Sequence, residues 1–163
     1  MNTKFTLGAA AALTAVGILG FTTFGMAEND STPAADTAVT VAADRQMTIW
    51  RDPSCGCCDA YADYMEDEGY HVTRIDDRDF DKRSVDVGVP EQGLGCHLAE
   101  VDGYYVSGLV PAEIIQRLTT ERPEITGITL PGMPNNAPGM AGKSGTLKTY
   151  AFAGDAVTVY SNE

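Results

Sequence analysis

The chain has 163 residues, with 11 basic and 23 acidic side chains and a formal net charge of −12. So acidic a surface repels phosphate backbones and anionic headgroups, which sets aside nucleic acid and the membrane surface as partners. Of its four cysteines, three fall between positions 55 and 58, so a thiol site has to be weighed against an ordinary disulfide framework.

Residues 1–27 read as an export signal. Met1-Asn-Thr-Lys4 is a short positive head, Phe5 to Met26 is an apolar run, and Gly25-Met26-Ala27 puts small residues where a signal peptidase reads. The run is also about long enough to span a bilayer of about 30 Å, so an uncleaved anchor competes with cleavage; Gly17, Gly20 and Gly25 weaken a permanent helix. Either way the remainder faces the periplasm or the outside, and membrane contact is confined to this segment. Lys4 is the only charge before residue 28, which leaves 10 basic and 23 acidic side chains, a net of −13. Residues 28–44, rich in Ala, Thr, Asp, Ser and Pro without an apolar period, read as a disordered linker. Residues 45–163 are one domain's worth of chain.

Met47 to Arg51 reads as a strand and Asp59 to Glu68 as a helix, which places Ser54-Cys55-Gly56-Cys57-Cys58-Asp59 on the turn between them. There, free backbone N–H groups and the positive end of the helix dipole favour thiolate over thiol. Gly56 is expected to relieve bulk where the backbone bends between sulfur atoms. Cys55 and Cys58 alone form a C-x-x-C redox pair. Adding Cys57 makes a cluster of soft donors suited to Cu(I) or another soft metal, while a third thiol could also attack the disulfide of the pair. Structural disulfides are the remaining alternative. Crowding within the run leaves Cys96 as the easy partner for such a staple.

Gly69 is a stop signal, and Tyr70 to Asp76 alternates as a second strand. The charged run Asp76 to Arg83 leads into a short helix through Val87, closed by Gly88 and Pro90. Gly93-Leu94-Gly95-Cys96-His97 precedes a strand Leu98 to Val101, which an Asp102-Gly103 turn joins to Tyr104-Tyr-Val106 as a hairpin. Pro111 to Arg122 reads as a helix, with Ile114, Ile115 and Leu118 on one face. Leu130 to Met140 is a Pro- and Gly-rich loop carrying two thioethers, Met133 and Met140, which are soft donors when they are not gap fillers. Lys148 to Phe152 and Ala156 to Tyr160 close the chain as a hairpin of edge strands. The resulting order, β-α-β-α-β-β-α with a C-terminal β-hairpin, is that of an α/β thioredoxin-like fold, in which the loop before the third strand would bring Cys96, and with it His97, to the three-cysteine turn.

The ordered set Asp52-Pro-Ser-Cys-Gly-Cys-Cys58, Gly95-Cys-His97, Asp102-Gly-Tyr104, Val110-Pro-Ala112, Glu121-Arg-Pro123, Leu130-Pro-Gly-Met-Pro134 and Pro138-Gly-Met140 resembles the CopG-type periplasmic copper-resistance family across nearly all of Met47 to Tyr160. The resemblance implies a thioredoxin-like protein that handles copper and binds Cu(I) through Cys55, Cys57, Cys58 and Cys96. It also implies partners among copper ions and periplasmic copper-export or copper-carrier proteins. One departure stands out: Gly108-Leu-Val-Pro111 has Leu109 where the family commonly shows His, so no imidazole is available there. The rival to a metal-binding protein is a thiol–disulfide oxidoreductase using Cys55 and Cys58.

Overall fold

The computed structural model describes residues 45–163; the export signal and linker expected over residues 1–44 lie outside the described residues. Strand β1 (Gln46–Arg51) buries Met47 and Ile49 on one face and turns Trp50 to the other, the two-residue period of a strand covered on both sides. Helix α1 (Gly56–Asp67) follows and buries Cys58, Tyr61, Ala62 and Met65, a stripe at the i, i+3, i+4, i+7 spacing of one helix face. It stops at Gly69, whose φ of 87° suits glycine, with the Tyr70 N–H returning to the Met65 carbonyl at 3.0 Å. Strand β2 (His71–Asp76) then lies parallel to β1. Helix α2 (Phe80–Asp86) and a 3₁₀ turn (Glu91–Gly93) lead to β3 (His97–Val101), antiparallel to β1.

Asp102 and Gly103, both at positive φ, form the tight turn into β4 (Tyr104–Ser107). Helix α3 (Ala112–Glu121) buries Ala112, Ile114, Ile115 and Leu118. Strands β5 (Gly127–Thr129), β6 (Lys148–Ala153) and β7 (Ala156–Asn162) complete one seven-stranded sheet in the order β2-β1-β3-β4-β5-β6-β7. The α/β class and the succession of elements agree with the sequence reading, with two differences. The three residues of β5 are too few to show an alternation, and they form a strand because β4 and β6 flank them. β5 therefore covers β6, so only β7 of the closing hairpin is an edge strand, with Val157 and Val159 exposed.

The strand register lines up Ile49, Ala99, Val106, Ile128 and Ala151 as one buried row across five strands. Tyr61 and Met65 of α1 and Ile114, Ile115 and Leu118 of α3 belong to the same cluster. The opposite face holds a smaller cluster in which Trp50, Leu98, Tyr105 and Phe152 meet Val87, Leu94 and Val89. Leu109 is fully buried in the larger cluster, where it serves as core packing.

Three backbone segments meet almost without side chains at the end of the sheet near α1. A Cβ on Gly95 would collide with Gly108, and a Cβ on Gly108 would collide with the Leu130 carbonyl. The Gly95 N–H donates to the Ser107 hydroxyl at 3.0 Å, the Leu130 N–H to the Ser107 carbonyl at 3.0 Å, and the Gly132 N–H to the Leu94 carbonyl at 2.9 Å. Gly56 behaves differently from the sequence expectation: it starts α1, nothing lies within 4 Å of where its Cβ would be, and no left-handed backbone requires it. Gly95→Ala is therefore expected to cost roughly 2 kcal/mol or more through overlap of backbones, while Gly56→Ala leaves stability unchanged or slightly raised. Denaturant unfolding of the two variants checks this, and equal midpoints would contradict it.

Candidate metal centre

The pairing of β1 with β3 places Arg51 opposite His97. The residue before His97 therefore lies beside the chain leaving Arg51, and this register carries Cys96 to the cysteine turn. That turn is built locally. The Cys55 N–H donates to the Asp52 carbonyl at 2.9 Å, and the Asp52 carboxylate accepts the Ser54 N–H at 2.7 Å, the arrangement expected of Asp-Pro at the head of a turn. Cys55 is the N-cap of α1, and its carbonyl accepts the N–H groups of Cys58 and Asp59. Cys57 and Cys58 thus occupy the first helical turn itself rather than the turn before it, because the helix starts at Gly56 and not at the expected Asp59.

The four sulfur atoms of Cys55, Cys57, Cys58 and Cys96 lie within 4.8 Å of one another. Cys55 and Cys58 are joined as a disulfide, with Cα atoms 5.3 Å apart, and Cys57 and Cys96 are free thiols. The Cys57 sulfur is 3.4 Å from that of Cys55, and the Cys58 sulfur is 3.2 Å from the Cys96 carbonyl. Cys58 is fully buried, whereas Cys57 and Cys96 are partly exposed. The Cys96 thiol is pushed up to about 12, first by burial and then by the neighbouring Cys57, which resists a second negative charge so close by.

The weaker sequence candidates separate here. Met133 stands over the site, its sulfur 3.9 Å from that of Cys57, whereas Met140 lies further along the same loop and is exposed. His97 is fully buried, its Nδ1 3.5 Å from the Cys96 sulfur and its Nε2 without a partner; burial holds its pKa down to about 3. It borders Cys96 rather than joining the sulfur set. The local sequence around the cysteines gives little notice of two supporting residues. Tyr61, one turn beyond Cys58 on the buried helix face, stacks on His97 with ring centres 4.7 Å apart and donates its hydroxyl to the Val110 carbonyl at 2.7 Å. Arg51, 12% exposed, clamps Asp59 of α1 at 2.9 Å and Asp76 of β2 at 2.7 Å. Its last-in-strand position was the available signal, since it shares a face with Ile49 and so points toward α1.

A family model described as a protein of unknown function, DUF411, matches residues 94–140. Two solved structures of a copper resistance protein CopG superpose on the chain. Form 1 has 30% identity and a TM-score of 0.66, and form 2 has 29% identity and a TM-score of 0.67; each match covers 74% of this chain and 98% of that one. The chain belongs to the CopG family. No curated protein matches it. Nearly the whole length of CopG is represented, so the shared part is the α/β sheet with its helices rather than a fragment of it. For this CopG relative, the raised Cys96 thiol predicts alkylation at pH 8 at least about ten-fold slower than a free cysteine of pKa about 8.5, with Cys57 labelled first. Peptide mapping of the protein with its disulfide intact measures this, and labelling of Cys96 at the free-thiol rate would contradict it.

Proposed function

We propose that this chain is a periplasmic copper(I)-binding protein that holds its cargo in the thiolates of Cys55, Cys57, Cys58 and Cys96. The observation that carries the reading is the convergence of four sulfurs from the α1 turn and the β3 approach within 4.8 Å. Thiolate is the donor that Cu(I) prefers, and a site of this composition has no hard oxygen ligand to offer a competing Mg²⁺ or Ca²⁺. The name of the solved relatives, copper resistance protein, supports copper as the cargo. The N-terminal apolar run with its small-residue cleavage site supports export to the periplasm, where copper-export and copper-carrier proteins are the natural exchange partners.

Ion uptake requires thiolates, so the Cys55–Cys58 disulfide has to be reduced by a thiol donor before all four sulfurs can coordinate, and each thiol that binds releases its proton. That disulfide also supports a second reading, a thiol–disulfide oxidoreductase. The pair closes a C-x-x-C at a helix N-terminus, and the free Cys57 thiol lies 3.4 Å from Cys55.

Cys57→Ser separates the two readings, because a C-x-x-C oxidoreductase can still cycle Cys55 and Cys58 whereas a four-thiolate site loses a ligand. The expected outcome is Cu(I) affinity lowered about 100-fold or more, with the Cys55–Cys58 disulfide still forming. Competition against a coloured Cu(I) chelator under anaerobic conditions measures the first quantity and thiol counting the second. Affinity equal to that of the unmodified protein would favour the oxidoreductase.

A further inference from the structure

We propose that Met133 is the docking ligand through which Cu(I) enters and leaves the cysteine cluster. This rests on the copper(I) reading above and deepens it by assigning the route of transfer. The sulfurs form a graded series from solvent inward. Met133 is 56% exposed, Cys57 is partly exposed and Cys58 is fully buried. The first two are adjacent, Sδ to Sγ 3.9 Å. A methionine that merely fills a gap belongs in the core, as Met47 and Met65 do at 1% and 0% exposure.

The exposed thioether is nevertheless held in place from both sides by the backbone of its loop. On one side, Gly132 is bridged to Gly95, next to Cys96, and its N–H donates to the Leu94 carbonyl at 2.9 Å. On the other, Gly139 presses against the first turns of α1. A Cβ there would stand 2.7 Å from the Cys57 carbonyl and 2.9 Å from the Tyr61 backbone nitrogen, and its φ of +81° suits glycine. Pro131 and Pro134 flank Met133 and restrict the chain on either side of it. The loop is thus tied both to the segment that carries Cys96 and to the helix that carries Cys57.

A neutral thioether binds Cu(I) more weakly than a thiolate does and needs no deprotonation, so it can accept the ion before any thiol has lost its proton. In the four-thiol form produced by a dithiol reductant, the sequence is pure ligand exchange. A bond from copper to the donor's ligand breaks as the Cu–Sδ bond to Met133 forms; Cys57 then loses its proton to water as a Cu–Sγ bond forms. The Cu–Sδ bond breaks when the deeper thiolates complete the coordination. Copper stays Cu(I) throughout, and no electron is transferred. Release runs the same steps in reverse.

The test uses reduced protein purified after expression of the full chain, with Cu(I) presented in a coloured bidentate chelator complex under anaerobic conditions. Met133→Leu keeps the side-chain size and removes the sulfur. It is expected to slow transfer from the chelator about ten-fold or more while leaving the final copper occupancy unchanged. Methionine-methyl NMR of the unmodified protein supplies a second readout. While Cu(I) exchanges between the chelator and the protein, the Met133 signal should broaden, with the buried Met47 and Met65 as internal references. Transfer by Met133→Leu at the unmodified rate, or a Met133 methyl neither shifted nor broadened while copper is exchanging onto the protein, overturns the docking role alone. Failure of the unmodified protein to take up Cu(I) overturns the copper reading and the docking role together.

Discussion

The arrangement depends on a close approach of three backbones, at Gly95, Gly108 and Leu130, where no side chain fits between them. Each of these segments carries or adjoins something the site needs. Gly95 precedes Cys96, Gly108 follows the end of β4 and precedes the buried Leu109, and Leu130 opens the loop that presents Met133. The Ser107 hydroxyl and carbonyl, and the Leu94 carbonyl, take up the N–H groups left by this approach, so its polar requirements are met locally. Thr129 adds its hydroxyl to the Gly93 carbonyl in the same region. A cluster of sulfurs from distant parts of the chain is thereby fixed by backbone contact, with little demand on side chains that would otherwise crowd the sulfurs.

Electrostatics explains why such a cluster suits a cation. Four thiols within 4.8 Å cannot all ionise without a counter-charge, and Cys96 is already pushed up to about 12 by burial and by Cys57. A disulfide between Cys55 and Cys58 removes two potential charges, and a soft cation neutralises thiolates that have formed. The acidic residues beside the turn are already engaged. Asp59 is paired with Arg51, and Asp52 accepts the Ser54 N–H, so these carboxylates are turned to structural tasks at the edge of the thiol site. Neutral His97, enclosed by Tyr61 and the core, packs behind Cys96 without adding charge.

Much of this was legible in the sequence because its signals are local. Strand β1, the apolar stripe of α3, the Asp102-Gly103 turn and the stop at Gly69 each follow from a few neighbouring residues. The proximity of Cys96 to the cysteine turn followed from the likeness of the element order to a thioredoxin-like fold, in which the loop before the third strand packs against the first strand–helix turn. Features that depend on contacts between distant segments were not legible. β5 is only three residues long and becomes a strand through its neighbours. Gly56, read as a bend, is an ordinary first residue of a helix. The roles of Gly95 and Gly108 could not be foreseen, because a glycine required by another backbone looks in sequence like any loop glycine. The two methionines of the Leu130–Met140 loop were equivalent in sequence, and only the fold distinguishes Met133 at the sulfurs from Met140 beside them.

Four cysteine sulfurs converging on one small volume define the centre of this account, and X-ray absorption at the copper edge examines that convergence most directly. Reduced protein loaded anaerobically with copper should give an edge characteristic of Cu(I) and an innermost coordination shell composed of sulfur alone, with that shell depleted in Cys96→Ser. An innermost shell dominated by nitrogen or oxygen, or a sulfur shell unaltered when Cys96 is replaced, would contradict a copper site assembled from the α1 turn and the β3 approach.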